Sequence, residues 1–265
     1  MSLRINTNTD ALNAYRNLSV TQGAMSSSLE KLSSGYRINR AADDAAGLAI
    51  SEGLRSQIGG LQVGVNNAQD GISVAQTAEG ALNEVSSMLQ RMNDLAVQYN
   101  NGTQNAQSQA SLNQEFTALQ TEIGRIETNT KFNGVALFGG SATTNFQVGY
   151  SATDTIAVDL SYKPTTDTAS LDITSATASD DVQAAITNVS TARAGLGAIQ
   201  NRFEHTINNL NVTVENLTAS ESRIRDTDMA SEMVNFTRSQ IMSQAGTAML
   251  AQANQAPQSV LKLLQ

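Results

Sequence analysis

The sequence predicts a mainly α fold: a long antiparallel helical bundle with coiled-coil heptads plus a small β-hairpin region. Apolar residues recur at alternating spacings of three and four over most of the 265 residues. Only two prolines occur, Pro164 and Pro257, so helices can continue without interruption over most of the chain. Aromatic residues make up only 4% and Trp is absent, so the helices must pack through small and medium-sized side chains.

The N-terminal segment is helix-prone and carries an apolar stripe close to the chain end. Chain termini usually fray because nothing holds them. A stripe at this place therefore indicates a partner, either the other end of the chain or further copies of it. The stripe follows heptad spacing, with a glutamine in one position: Tyr15, Leu18, Gln22, Met25, Leu29 and Leu32.

The longest predicted helix extends from about Asp44 to Tyr99. Its apolar positions alternate by four and three from Leu54 to Ala75, and the register then slips by one step before continuing to Ala96. Such a helix has about 55 residues and a length of about 80 Å. The slip resembles a coiled-coil discontinuity, which locally changes the winding.

A turn at Asn100, Asn101 and Gly102 leads to a second helix over about 112–126. The segment 131–180 then changes character. Glycines interrupt it, and alternating apolar and polar residues predict strands. The expected elements are a loose strand around VALF (135–138), a hairpin of FQVGY (146–150) and TIAVDLS (155–161), and an exposed loop or small cap over 164–180.

The C-terminal part returns to helical spacing. Thr227 with Asp228 is typical of a helix N-cap before Met229. A last apolar segment leads from Met229 through Met233 and Phe236 to Ile241, Ala245 and Ala248, and the chain closes on Val260, Leu261, Leu263 and Leu264. On the preceding helix, five large residues lie seven apart: Leu196, Phe203, Leu210, Leu217 and Ile224. We interpret nine residues as assembly seams: Leu18, Leu29, Leu32, Leu196, Phe203, Leu210, Leu217, Ile224 and Ile241.

The composition argues against catalysis and against a metal site. Cysteine is absent and the single histidine, His205, lies on a predicted helix, so we expect no catalytic, cofactor-binding or metal-binding residues. The glycines at 59, 60 and 64 match no phosphate loop, because no strand precedes them and no lysine follows at the required spacing. Asp43 and Asp44 are interpreted as helix-start residues.

The charge and hydropathy patterns exclude further classes of partner. The net charge is −8 and no basic patch with interleaved aromatics occurs, so a nucleic-acid partner is not expected. No stretch is long and apolar enough to span a membrane, and the start MSLRINTNTD lacks the apolar core of a secretory signal.

Several blocks in order along the chain resemble bacterial flagellin. They are INTNTDALNA (5–14), KLSSGYRINRAADDAAGLAIS (31–51), LQRMNDLAVQ (89–98), NGVALF (133–138) and QAGTAMLAQANQAPQSVLKLLQ (244–265). The resemblance implies a structural subunit that polymerises into the flagellar filament for swimming motility, with no enzymatic activity and no cofactor. It also implies secretion by the flagellar type III route without a cleaved signal peptide.

The resemblance implies a division into filament layers, with a short variable region at about Tyr162–Asp180. The expected segments are an inner-tube segment 1–43, an outer-tube part 44–180 with the hairpin and variable loop, an outer-tube helix 181–224 and an inner-tube segment 225–265. We hypothesise that residues 1–40 and 225–265 are disordered in the monomer and helical in the polymer, because isolated seams do not offset the entropy of ordering.

The resemblance also implies partners. These are further copies of the chain, an export chaperone on 225–265, the filament cap and hook-associated proteins, and the animal Toll-like receptor for flagellin. The receptor-recognition residues of the family correspond to Arg91, Leu95 and Glu115, which are also expected to contribute to assembly. Arg91 is suited to bidentate hydrogen bonding, and Leu95 is expected beside the main stripe, where it could fill an apolar pocket of a partner.

Three alternatives to the filament subunit remain open. A hook–filament junction protein shares the terminal heptads, but the LQRMNDLAVQ block and the closing segment favour flagellin. A coiled-coil signalling protein is expected to carry a membrane span and an uninterrupted helical hairpin. A flagellin that carries an enzyme domain would need an insert with a histidine-rich metal motif, and the insert here is short and has no histidine.

Overall fold

The computed structural model describes residues 8–139 and 143–263, and for 256–263 it describes the helical backbone alone. The mainly α fold is confirmed. Some residues of the predicted N- and C-terminal segments lie outside the described part: residues 1–7, Leu264, and the side chains of Val260, Leu261 and Leu263. The helices are α1 (Thr9–Ser34), α2 (Ala45–Tyr99), α3 (Ala106–Asn129), α4 (Pro164–Thr168), α5 (Ala178–Arg225) and α6 (Met229–Leu263). The strands are β1 (Lys131–Phe132), β2 (Val135–Ala136), β3 (Thr144–Gln147) and β4 (Thr155–Val158).

The chain forms two compact units. The first combines Met1–Ser56 with Asn216–Gln265, and the second consists of Gln57–Glu215. α2 and α5 each contribute residues to both units. The predicted long helix is confirmed, since α2 has 55 residues and ends at Tyr99.

The second unit is built on three antiparallel helices. The Ser179 hydroxyl donates to Asn93 Oδ1 at 2.9 Å, and the Gln200 amide donates to Glu79 at 3.0 Å. The two helices α2 and α5 are therefore antiparallel. α3 packs on the same part of α2. The fully buried large side chains between these helices include Leu82, Val85, Leu89, Met92, Phe116, Ile123, Val182 and Phe203.

Two small antiparallel hairpins complete this unit. β1 and β2 are joined by Asn133 and Gly134, whose positive φ angles of 49° and 82° fit a two-residue hairpin turn. β3 and β4 pair from Thr144 with Val158 to Gln147 with Thr155, which confirms the predicted hairpin.

The segment 164–180 is not the exposed loop that its polar composition suggested. Thr168, Leu171 and Ile173 are buried, and the Gln120 amide on α3 donates to the carbonyl oxygens of Thr168 and Leu171. Its backbone is therefore anchored to α3 and its few apolar residues close the core. Of the two predictions for this segment, an exposed loop or a small cap, the structure agrees with the small cap.

The glycines of α2 allow close packing. A Cβ at Gly64 would lie 2.6 Å from the carbonyl oxygen of Val148, and one at Gly71 would lie 2.5 Å from Phe203 Cζ. The segment after β3 and the ring of Phe203 on α5 therefore pack directly against the α2 backbone. Phe203 also meets Phe146 of β3 edge to face, with ring centroids 5.6 Å apart.

We predict opposite effects from two Gly→Ala substitutions on α2. Gly64→Ala should lower the free energy of unfolding by about 1–3 kcal/mol, because a backbone carbonyl cannot move aside as a flexible side chain can. Gly80→Ala is the matched control, since a Cβ there meets nothing within 4 Å. It should raise stability by up to about 1 kcal/mol through helix propensity. Urea unfolding followed by circular dichroism measures both, and a Gly64→Ala variant as stable as Gly80→Ala would contradict the close packing.

Candidate assembly surface

In the first unit α1 and α6 pack antiparallel through a seam that combines small residues with a few large ones. The Asn8 amide donates to the Ala253 carbonyl at 2.7 Å, and a Cβ at Gly246 would lie 3.3 Å from Leu18 Cδ1. The covered positions follow heptad spacing on both helices. On α1 they are Ala11, Ala14, Leu18, Thr21, Met25, Ser28 and Leu32; on α6 they are Glu232, Phe236, Ser239, Ser243, Gly246, Leu250 and Ala253.

Most large apolar residues of these two helices point away from that seam. Leu29 is 57% exposed and Ile241 is 60% exposed, whereas Ser28 and Ser239 are buried. Exposed apolar patches on a protein surface mark interaction sites. We call the following ten residues the outward apolar face: Leu12, Tyr15, Val20, Leu29, Met229, Met233, Val234, Ile241, Met242 and Met249.

The structure divides the stripe predicted on α1 into two. Leu18, Met25 and Leu32 are half-buried against α6, whereas Tyr15 and Leu29 are exposed in the single chain. The cause is the size of the seam residues. Ser28, Ser239 and Gly246 let the helices approach closely. Because these residues are small, the spacing of large apolar residues in the sequence does not indicate that they lie in the seam.

The connection between α1 and α2 is fastened to the junction of α5 and α6. Gly35 ends α1 with a φ of 76°. Its carbonyl accepts from the Thr227 amide at 2.9 Å, and the Arg37 amide donates to the Arg225 carbonyl at 2.7 Å. Asp228 accepts from the amides of the first turn of α6, which confirms the predicted cap.

Arg225 is the central side chain of this junction. Its guanidinium lies 4.6 Å from the centroid of the Tyr36 ring and 3.0 Å from Glu52 Oε1. Only 15% of the Arg225 side chain is exposed. Because one cation contacts an aromatic ring and a carboxylate at once, it joins α2, α5 and the connection after α1.

Acidic side chains order the remainder of this connection. Hydrogen bonds from the Arg40 guanidinium and the Asn39 amide lower the pKa of Glu30. The backbone amides of Arg40 and Asn39 likewise lower the pKa of Asp43. Asp44 accepts from the Gly47 amide at 2.9 Å and so begins α2, as predicted for a helix-start residue.

The seven-spaced residues of α5 are covered within the chain. Leu196, Phe203 and Leu210 are buried in the second unit, and Leu217 and Ile224 are half-buried in the first. These five residues therefore hold the helices of one subunit together. His205, two residues from Phe203, is exposed.

Arg91 and Glu115 form an exposed ion pair between α2 and α3. Arg91 Nε lies 2.8 Å and Nη2 lies 2.7 Å from Glu115 Oε1, and about half of each side chain is exposed. The predicted position of Leu95 beside the stripe, open to a partner, is wrong: its side chain is 0% exposed. Because α2 packs against both α3 and α5, its buried face is wider than a single heptad seam and includes Leu95.

Within residues 8–139 and 143–263, no group of three acidic or histidine side chains is arranged to hold a metal ion. Among the helices of the same residues, none is both long enough and apolar enough to cross a membrane.

Comparisons with known proteins place this surface in context. The profile of the bacterial flagellin N-terminal helical region matches residues 5–143, and that of the C-terminal helical region matches 180–264. The chain belongs to the bacterial flagellin family. It is 52% identical to a flagellin of Halalkalibacterium halodurans, over 98% of this chain and 99% of the relative. It is 47% identical to a flagellin of Bacillus subtilis, over 99% of this chain and 100% of the relative.

A solved structure agrees with the family. The crystal structure of Bacillus cereus flagellin aligns with 55% of this chain and 88% of its own, at a TM-score of 0.50 and 29% identity. The resemblance drawn from the sequence blocks is thereby confirmed. As a flagellin, the protein is a structural subunit that self-assembles into the extracellular flagellar filament for motility, and it is not an enzyme. This favours the filament subunit over the hook–filament junction protein and the coiled-coil signalling protein.

Proposed function

We propose that the outward apolar face of α1 and α6 packs against further copies of the chain and builds the inner wall of the filament. The observation that supports this is the arrangement of α1 and α6, in which small residues make up more than half of the intramolecular seam and ten large apolar residues stay exposed. A contact between two different surfaces of identical subunits gives an open helical polymer when its rotation does not close into a ring.

The energy available from this face is sufficient to drive assembly. Full burial of one large apolar side chain contributes about 1.5–3 kcal/mol, and these side chains are about half exposed. Covering all of them therefore yields on the order of 10 kcal/mol per subunit, from which the cost of association is subtracted. This burial free energy is gained only on assembly, because in a single subunit the face stays exposed to solvent.

The remainder of the chain has a supporting part in this proposal. We assign the inner tube to segments 1–43 and 225–265, and the outer tube to 44–180 and 181–224. The closed core of Gln57–Glu215 supports this assignment, since most of its large apolar side chains are already covered. Leu18, Leu32, Leu196, Phe203, Leu210, Leu217 and Ile224 then hold one subunit together, and Leu29 and Ile241 contact its neighbours.

Two aspartate substitutions test the assembly surface. Leu29→Asp and Ile241→Asp each place a charge in an apolar contact, so seeded polymerisation should fail while the unfolding temperature of the free chain stays unchanged. Electron microscopy and sedimentation measure the polymer. Ile241→Leu is the matched control, because it keeps the apolar character, and it should assemble. Normal filaments from Ile241→Asp would reject the proposed face.

Export requires that this face stay covered before assembly. We propose that a flagellar export chaperone binds 225–265, which contains six residues of the outward apolar face. The protein then leaves by the flagellar type III route without a cleaved signal peptide. At the filament ends, the same face contacts the cap and hook-associated proteins. The disorder hypothesised for 1–40 and 225–265 in the free chain would make both segments available to these partners.

The chaperone site is tested by truncation. A chain that ends at residue 224 should lose binding to the export chaperone of its own organism in titration calorimetry, because the apolar residues of α6 are gone. A chain without residues 1–40 serves as the control and should bind as the full chain does. Retained binding by the C-terminal truncation would assign the site elsewhere.

We further propose that the animal Toll-like receptor for flagellin recognises the surface around Arg91 and Glu115. The exposure of this ion pair supports the proposal. Leu95 contributes by packing beneath it, since a buried side chain holds the α2 backbone but offers no surface to a receptor. The receptor then recognises free subunits, because lateral contacts cover this surface in a filament.

Arg91→Ala should reduce activation of a receptor reporter by the free subunit more than tenfold, which corresponds to about 1.4 kcal/mol. Arg125→Ala is the matched control, because Arg125 forms an equally exposed ion pair with Glu122 on α3. That variant should signal as the unchanged chain does. Equal loss in both variants, or full signalling by Arg91→Ala, would contradict recognition at Arg91.

A further inference from the structure

Methionine is concentrated on the exposed surface of α6. Four of the eight methionines lie there, and their exposed fractions range from 47% to 65%. The two methionines of α2 differ: Met92 is 0% exposed and Met88 packs half-buried against the core. The four exposed residues are Met229, Met233, Met242 and Met249.

We propose that these four methionines form a reversible oxidative modification site that controls assembly of the free subunit. The oxidant is a hydroperoxide, and the product is methionine sulfoxide. The thioether sulfur attacks one peroxide oxygen, an S–O bond forms and the O–O bond breaks. The sulfur loses two electrons, the proton of the attacked oxygen passes to the second oxygen, and that oxygen leaves as water for hydrogen peroxide or as an alcohol for an organic hydroperoxide.

The modification acts on assembly because of where the sulfur atoms lie. All four residues belong to the outward apolar face, and the inference rests on the proposed burial of that face between copies. A sulfoxide is polar, and its oxygen needs a hydrogen-bond partner when it is buried. The apolar surroundings of the face offer few such partners. The oxidised subunit is therefore expected to stay in solution.

The same geometry makes the control selective for the free subunit. In a filament the four sulfur atoms would be covered, so assembled subunits resist the oxidant. Repair restores the apolar surface. A sulfoxide reductase reduces the sulfoxide with two thiols. The sulfoxide oxygen leaves as water, the two thiols form a disulfide, and the methionine is regenerated. Met92 stays unmodified in either state, because the core excludes the oxidant.

A second reason for methionine at these positions is its flexibility. Its unbranched side chain adapts to irregular contacts, which also suits an interface between subunits. The two explanations differ in a measurable way. Flexibility alone leaves the assembly of an oxidised subunit unchanged, whereas the proposed site requires assembly to fail after oxidation and to return after repair.

The experiment treats free subunits and assembled filaments of the full chain with the same dose of hydrogen peroxide. Peptide mass spectrometry should find sulfoxide at the four α6 residues of the free subunit, none at Met92, and at least fivefold less at the four residues in filaments. The concentration of free subunit in equilibrium with seeded filaments should rise at least tenfold after oxidation. Methionine sulfoxide reductase should return it to the untreated value.

The variant M229L/M233L/M242L/M249L should assemble equally well before and after peroxide. If it fails to assemble, repair of the oxidised wild-type chain decides the question. Untreated chain that forms no filaments would overturn the proposed function. Untreated chain that assembles, with oxidised chain assembling as well, would overturn only the modification site.

Discussion

The arrangement of this subunit depends on the close approach of α1 and α6. Gly246 lies against Leu18, and Ser28 and Ser239 are buried between the two helices. Because small residues occupy much of this seam, the two helices bury little apolar area against each other. The large residues are then free to serve contacts outside the chain.

The two units divide two physical tasks. The core of Gln57–Glu215 is closed by large side chains such as Phe116 and Phe203, and glycines of α2 bring the second hairpin and α5 directly onto its backbone. This unit is stable by its own packing. The first unit, which contains both chain ends, has few buried apolar residues. Arg225, with Tyr36 and Glu52, holds together the junction between α1, α2, α5 and α6. In the proposed assembly, contacts with neighbouring copies supply the apolar burial that this unit lacks.

The sequence predicts the helices and the closed core well, because large apolar residues carry the periodic signal there. α2, the hairpin of β3 and β4, the seven-spaced residues of α5 and the cap at Asp228 follow from spacing and turn chemistry alone. The seam of α1 and α6 does not, because serine and glycine at heptad positions resemble solvent-facing residues. Leu95 is misjudged for a related reason: contact with two helices widens a buried face beyond one heptad stripe. The anchoring of Thr168 and Leu171 depends on the distant amide of Gln120, which no local pattern indicates.

The absence of cysteine permits one direct test of the central claim, that the large apolar residues of α6 are open to solvent in the free chain and are covered by other copies in the filament. A single cysteine at position 241, in Ile241→Cys, replaces a side chain that is 60% exposed. Its rate of reaction with a maleimide is measured in the free subunit and in assembled filaments. The account predicts reaction at the rate of a free thiol in the subunit and at least tenfold protection in the filament. Equal rates in the two states would show that this face stays open to solvent and would contradict the account.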